Sequence, residues 1–330
     1  MAVVALDPRL GELIDLDAEA EKIAGGYRFT EGPVWSHRDR SLFFVDIEFA
    51  NPNGGTIHRW TQAGGAQPFR SPSQNSNGST FDLHGRLVTC VGGGSSVVRT
   101  NQDGSIETLA DSYNGRPLNS PNDVICAPNG DIIFTDPYFA LRGEPPPDPP
   151  PVPAVYRISA RDGSLIRLTD TVTAPNGLVI SGDGSRLFVD DTRQQQVRVF
   201  DVASDGSLTS DRVFCEVNTE GLRKDFADFL NAQLVPSTPM TRAPDGMKMD
   251  SLGNLYVAGN RNEGIWVFDR EGRLLGCIGV GEEKSVFGEG LGGPANLAWG
   301  DDDWRTLYVT AVTSVYRIRL KVAGQPVHSS

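Results

Sequence analysis

Polar and apolar positions along this 330-residue chain recur as one unit: a short oxygen-bearing cluster, an apolar run, a turn pair, then further strand-like runs. The units begin at Glu31, Asn77, Asn122, Asn176, Asp245 and Ala295, and four of the clusters read Glu31-Gly-Pro, Pro121-Asn-Asp, Pro175-Asn-Gly and Pro244-Asp-Gly. Seven residues on, each unit has a turn-like pair: Arg38-Asp39, His84-Gly85, Asn129-Gly130, Asp183-Gly184, Leu252-Gly253 and Asp302-Asp303. The runs after these turns, such as Leu42 to Asp46 and Ile132 to Asp136, read as second strands of hairpins, and a third run follows in every unit. Outer strands are visible at Glu107 to Ala110, Leu165 to Leu168, Arg212 to Cys215 and Leu274 to Ile278. A supersecondary unit of three or four strands repeated every ~45 to 55 residues is the signature of propeller blades. Six units predict an all-β fold, a six-bladed β-propeller.

The sixth unit runs out of chain after its third strand. Lys22 to Ala24 is expected to supply the fourth and close the ring, which removes exposed sheet edges. Residues 1–330 are read as a single domain, because half a propeller would leave its faces and edges uncovered. Two insertions interrupt the repeat. Residues 142–153 are proline-rich and predict a stiff extended loop. Residues 218–243 include a run, Lys224 to Leu234, with apolar residues near helical spacing; it is either a lid or a helix packed on the rim or in a homodimer contact.

A net charge of −12 argues against nucleic acid or an anionic membrane as partner, and favours attraction of a cation. No stretch approaches a transmembrane helix, and Met1 to Leu10 lacks the apolar core of a signal peptide, so a cytoplasmic location is expected. Cys90, Cys126, Cys215 and Cys277 show no paired spacing and predict buried free thiols.

In a propeller the innermost strand of each blade lines the central channel, so equivalent positions at its start converge. Here they supply two carboxylates, three amides and one alanine. Asn-Gly and Asp-Gly are turn dipeptides, and for Asn77 the turn reading stands ahead. For the others a separate turn pair is already present seven residues later. Converging carboxylates repel unless a cation joins them, and hard oxygen donors suit Ca²⁺, with Mg²⁺ or Mn²⁺ meeting the same donor requirement. Zn²⁺ is disfavoured, because the four histidines and the cysteines show no ligand spacing.

Glu31-Gly-Pro-Val-Trp35, Leu118-Asn-Ser-Pro-Asn-Asp123, Phe134-Thr-Asp-Pro137, Pro175-Asn-Gly-Leu178 and Pro244-Asp-Gly-Met247 together resemble the regucalcin (SMP-30) and gluconolactonase family. The resemblance runs from about Phe29 to Pro326 and implies a divalent-metal-dependent lactonase acting on a small-molecule lactone. It implies Glu31, Asn176 and Asp245 as metal ligands, Asn122 as a ligand or substrate contact, and Asp245 as catalytic base or nucleophile. Asn77 and Asn296 are the further candidates for substrate binding. Ser120 stands where regucalcin-like members have an arginine, and Cys90-Val-Gly-Gly-Gly stands where bacterial gluconolactonases often have Cys-Glu-His. These departures suggest a different lactone, bulkier or less polar. Two other readings stay open at this level: a phosphotriesterase-type hydrolase with the same ligands, and a non-catalytic propeller binding partners through its faces, which would have no reason to gather axial carboxylates.

Overall fold

The computed structural model describes residues 3–138, 151–217, 243–260, 264–280 and 293–326. It is a six-bladed β-propeller. Blade 1 holds strands Thr30–Ser36, Ser41–Asp46, Thr56–Thr61 and Gly65–Arg70; blade 2 holds Ser76–Phe81, Leu87–Val91, Ser96–Thr100 and Ile106–Ala110. Blade 3 is built from Val124–Cys126, Ile132–Asp136, Ala154–Ile158 and Leu165–Thr169, and blade 4 from Pro175–Ile180, Arg186–Asp191, Gln196–Val202 and Leu208–Glu216. Blade 5 comprises Ala243–Met249, Leu255–Asn260, Gly264–Phe268 and Leu274–Ile278, and blade 6 comprises Asn296–Gly300, Thr306–Ala311 and Ser314–Arg319.

The N-terminal segment closes the ring as expected. Glu21–Gly25 pairs antiparallel with Ser314–Arg319 and becomes the outer strand of blade 6. A strand the repeat did not reveal, Val3–Ala5, adds a fifth member to blade 5 against Leu274–Ile278. Between the two, the turn of helix Leu10–Leu13 buries Leu10, Leu13 and Ile14 in the core shared by blades 5 and 6.

Hairpin turns explain the regular spacing of the repeat. Asp82 Oδ1 accepts the backbone N–H groups of His84 and Arg86, each at 2.9 Å, and Asp250 Oδ1 does the same for Leu252 and Asn254. The aspartate thus ties the turn that returns the chain from inner to second strand. Side chains of the twisted sheets then fill the wedges between blades. Six hydrophobic clusters occupy the six blade interfaces, with Trp35 stacked on Tyr308 at 5.2 Å between blades 1 and 6 and Tyr256 edge-on to Trp299 at 5.2 Å between blades 5 and 6.

All four cysteines are buried free thiols. Most of the proline-rich insertion and nearly all of residues 218–243, including the run read as an amphipathic helix, lie outside the described residues. Among the described residues no helix is long and apolar enough to cross a membrane.

Candidate metal centre in the central channel

Four of the six inner strands enter the channel through an irregularity. In blades 2, 4 and 5 two inner-strand residues oppose one residue of the second strand, and the bulged pairs are Asn77-Gly78, Asn176-Gly177 and Asp245-Gly246. A bulge re-aims the side chain it carries, here toward the axis. In blade 1 the bulge falls at Gly32-Pro33, so Glu31 stands one residue earlier than the sequence alignment placed it. Glutamate has one more methylene than aspartate, which suits a position set further back.

Contacts around the ring show that the strand starts meet. The Gly78 N–H donates to the Asn122 carbonyl at 2.7 Å, Thr135 Oγ1 donates to the Asn176 carbonyl at 2.7 Å, and the Gly246 N–H donates to the Ala295 carbonyl at 2.8 Å. A Cβ on Gly177 would stand 2.2 Å from the Asp245 carbonyl oxygen, and one on Gly246 would stand 2.0 Å from Asn296 Cγ. Only glycine permits approaches this close.

Glu31, Asn176 and Asp245 are buried at this ring, and Asn77 and Asn122 are half-buried. Asn176 Nδ2 donates to Thr192 Oγ1 at 3.2 Å, while Thr192 Oγ1 donates to the Pro244 carbonyl at 2.9 Å. The threonine therefore fixes the amide nitrogen on the blade side and turns Asn176 Oδ1 away from it, and it ties blade 4 to blade 5. Asn77 Oδ1 is buried without a hydrogen-bond partner. Asn296 reaches the ring from blade 6, where Ala295 offers no donor, and its side chain lies against both Glu31 and Asp123.

The electrostatics are strained. Burial, followed by the charge of Asp245, pushes the Glu31 carboxyl well above the usual carboxylate range. Asp190 is pushed up in the same way, by burial first and Asp245 next. A cation held among these oxygens would remove both penalties. Among the described residues no three His, Cys, Asp or Glu side chains gather as an ion-binding group, so any ion here draws on amide oxygens together with carboxylates. This mixed, all-oxygen donor set and the orphaned Asn77 Oδ1 fit a hard divalent cation better than zinc.

Three residues of the site were not picked out from the sequence. Asp123, inside the Pro-Asn-Asp cluster, is 2% exposed, with Oδ1 accepting its neighbour Val124 N–H at 2.9 Å. Lys248 reaches to 4.0 Å from Asp123 Oδ2. Asp190 accepts the Gly177 N–H at 2.9 Å and so braces the Asn176 bulge. Asp136 caps a turn nearby, taking the N–H groups of Asn119 and Ser120 at 2.9 and 2.8 Å.

Below the ring the inner strands enclose a cavity of about 60 Å³ lined by residues of all six blades, among them Trp35, Thr80, Ile125, Val179 and Lys248. Gln325 also lines it, donating from Nε2 to the Ile180 carbonyl and from its backbone to the Met249 carbonyl, both at 3.0 Å. On the opposite face Ser120 Oγ donates to the Gly92 carbonyl at 3.4 Å.

Residues 29–313 match the profile of the SMP-30/Gluconolactonase/LRE-like region. The chain is similar to a gluconolactonase of Zymomonas mobilis, 28% identical over 340 residues that cover 98% of this chain and 87% of that one. A pentonolactonase of Haloferax volcanii is 27% identical over 287 residues, covering 86% and 81%. Among solved structures, a gluconolactonase from Xanthomonas campestris superposes with a TM-score of 0.77 at 29% identity, covering 97% of this chain and 95% of that one.

Proposed function

The chain belongs to the SMP-30/gluconolactonase/LRE-like family, and from that premise we propose that it hydrolyses a lactone to the corresponding hydroxy acid with one divalent cation, Ca²⁺ by donor chemistry, held at the channel ring. The observation that carries this reading is the approach of buried Glu31 and Asp245, close enough for the charge of one to raise the other, beside the Asn176 strand start that packs on Asp245. Glu31, Asn122, Asn176 and Asp245 would hold the ion. When bound, it supplies a Lewis acid that polarises the lactone carbonyl, an effect worth several kcal/mol.

The chain's own groups would do the rest. Asp245 takes a proton from the attacking water as the water oxygen bonds to the acyl carbon. The bond from that carbon to the ring oxygen then breaks, and the proton on Asp245 passes to the departing alkoxide, leaving a carboxylic acid and a hydroxyl on one product molecule; the acid then releases its proton to solvent, which is the proton that base uptake titrates. Asp190 and Thr192 hold the Asn176 and Pro244 backbones, and thereby Asp245, in register. Asn77 would offer the substrate a hydrogen-bonding amide, and Asn122 would lend it the amide N–H while its amide oxygen faces the ion. Ser120, a short hydroxyl turned toward the Gly92 carbonyl, would offer sugar hydroxyls only its lone pairs on the blade 3 side, which favours a lactone less dependent on polar contacts there.

The test is base uptake in a pH-stat over aldonolactones and aliphatic lactones, before and after chelation and Ca²⁺ return. Turnover that vanishes with EDTA, returns with Ca²⁺, and falls about 10²-fold or more in Asp245→Asn is expected. Unchanged turnover in Asp245→Asn would remove that residue from the chemistry.

A further inference from the structure

Directly beneath the oxygen ring the channel has a second charged level. Strand register matches Trp35, Thr80, Ile125, Val179, Lys248 and Ala298 as equivalent positions on the six inner strands. Five of the six are uncharged. The exception, Lys248, donates from Nζ to the Met247 carbonyl at 3.0 Å and to Asn296 Oδ1 at 3.4 Å, and lies 4.0 Å from Asp123 Oδ2. That Asp123 oxygen is buried and accepts no hydrogen bond. Asp123 is also near enough to Glu31 to repel it, with the Asn296 side chain lying against both carboxylates.

Without the ammonium, the level defined by Asp123, Glu31 and Asn296 would be a second set of converging oxygens, chemically like the ring above it. A divalent ion would find the same reward there, relief of buried like charges. We propose that Lys248 is a tethered counter-cation that fills this lower oxygen set and so limits the channel to one divalent ion. It is a positioning residue: by drawing Asp123 downward it leaves Glu31 to face the upper ring. The inference rests on the reading of the ring as a divalent-cation site.

The experiment is Ca²⁺ titration of the chelator-stripped full chain by calorimetry, with thermal melts in EDTA and in Ca²⁺. Wild type should bind one equivalent. Lys248→Met should bind two, and its melting temperature should fall in EDTA and rise more steeply with Ca²⁺ than that of wild type. The double variant Lys248→Met with Asp123→Asn, which removes both partners of the pair, should fold, bind one equivalent and recover stability in EDTA. One equivalent in Lys248→Met with a wild-type Ca²⁺ response overturns the proposal and leaves the ring reading intact. A double variant no more stable in EDTA than the single one also overturns it. No Ca²⁺ bound by wild type overturns the ring reading and this inference with it.

Discussion

Replacing Gly177 by alanine tests whether the ring depends on blade starts packed to backbone contact. The new Cβ would stand 2.2 Å from the Asp245 carbonyl oxygen and 2.9 Å from Asp190 Oδ2, against an ordinary contact of 3.4 Å or more. The first neighbour is backbone and the second is a carboxylate already engaged by the Gly177 N–H, so relief needs a shift of more than 1 Å between blades 4 and 5. Overpacking of this kind costs about 1 to 3 kcal/mol. With an unfolding entropy of about 2.1 cal/mol/K per residue over 330 residues, each kcal/mol moves Tm by about 1.4 °C, so the drop is about 1 to 4 °C. Activity should suffer more than stability, because a displacement of about 1 Å at a reacting group can cost about 10²-fold in rate.

The comparison that isolates the effect is Gly182→Ala in the same blade, where the nearest atom is Gln325 Oε1 at 3.6 Å, an ordinary contact. Melting curves and pH-stat rates for both variants give the result. If Gly177→Ala keeps wild-type kcat and Tm while Gly182→Ala behaves identically, the ring tolerates a spacing change of this size. The claim that its geometry is held by backbone contact would then fall.

Leu10→Ala, which empties a fully buried position in the strap between blades 5 and 6, should cost about 2 to 5 kcal/mol in denaturant unfolding; a loss under 0.5 kcal/mol would show that the strap adds little. The four thiols should ignore a thiol reagent in the native protein and all react in guanidinium, since burial pushes Cys126 up to about 11 and raises Cys90 and Cys215 as well; rapid labelling of the native protein would refute their burial. Asp136 is pushed up to about 7 from 3.8 by burial, which outweighs its two backbone N–H donors. The folded state therefore binds its proton more tightly than the unfolded state. Its contribution is present below pH 4 and lost as pH rises toward 7, by about 1.4 kcal/mol per pH unit at most. Asp136→Asn should flatten the pH dependence of Tm in that window, and an unaltered slope would count against it.

The blades were legible because each buries an alternation that only a strand can satisfy, and because aspartate-tied turns recur at fixed distance from the inner strands. The missing strand of blade 6 pointed to its own replacement near Lys22. Gly65–Arg70, the outer strand of blade 1, escaped notice because Gly65 and Pro68 weaken the strand signal, and a proline is tolerated only at such an edge. Val3–Ala5 is three residues long, too short to show a period. At the site, oxygen-bearing clusters marked the ring but could not reveal the bulges, and it is the register that sets Glu31 one residue back from its apparent equivalents. Lys248 was hidden for a related reason: a lysine four residues before the Leu252-Gly253 turn looks like a solvated strand position until the register places it beside five uncharged equivalents.

The same argument explains how a repeat yields a site that is not symmetric. Neighbouring blade starts are pinned to one another by the Gly78, Thr135 and Gly246 contacts, so the backbone around the ring is set largely apart from the side chains it carries. What differs is the side chain each position carries and the residue behind it. Only blade 4 places an acid, Asp190, opposite the bulge, where register-matched residues are Phe44, Cys90, Thr135, Ala258 and Thr310. That acid grips the Gly177 N–H and presses its charge on Asp245 across the interface. Negative charge is therefore concentrated where blades 4 and 5 meet, beside Asn176 and Asp245, and is relieved below by Lys248 from blade 5. A cation attracted to this channel would be drawn toward that interface, and the side of the ring that carries Asn77 would be left for the substrate.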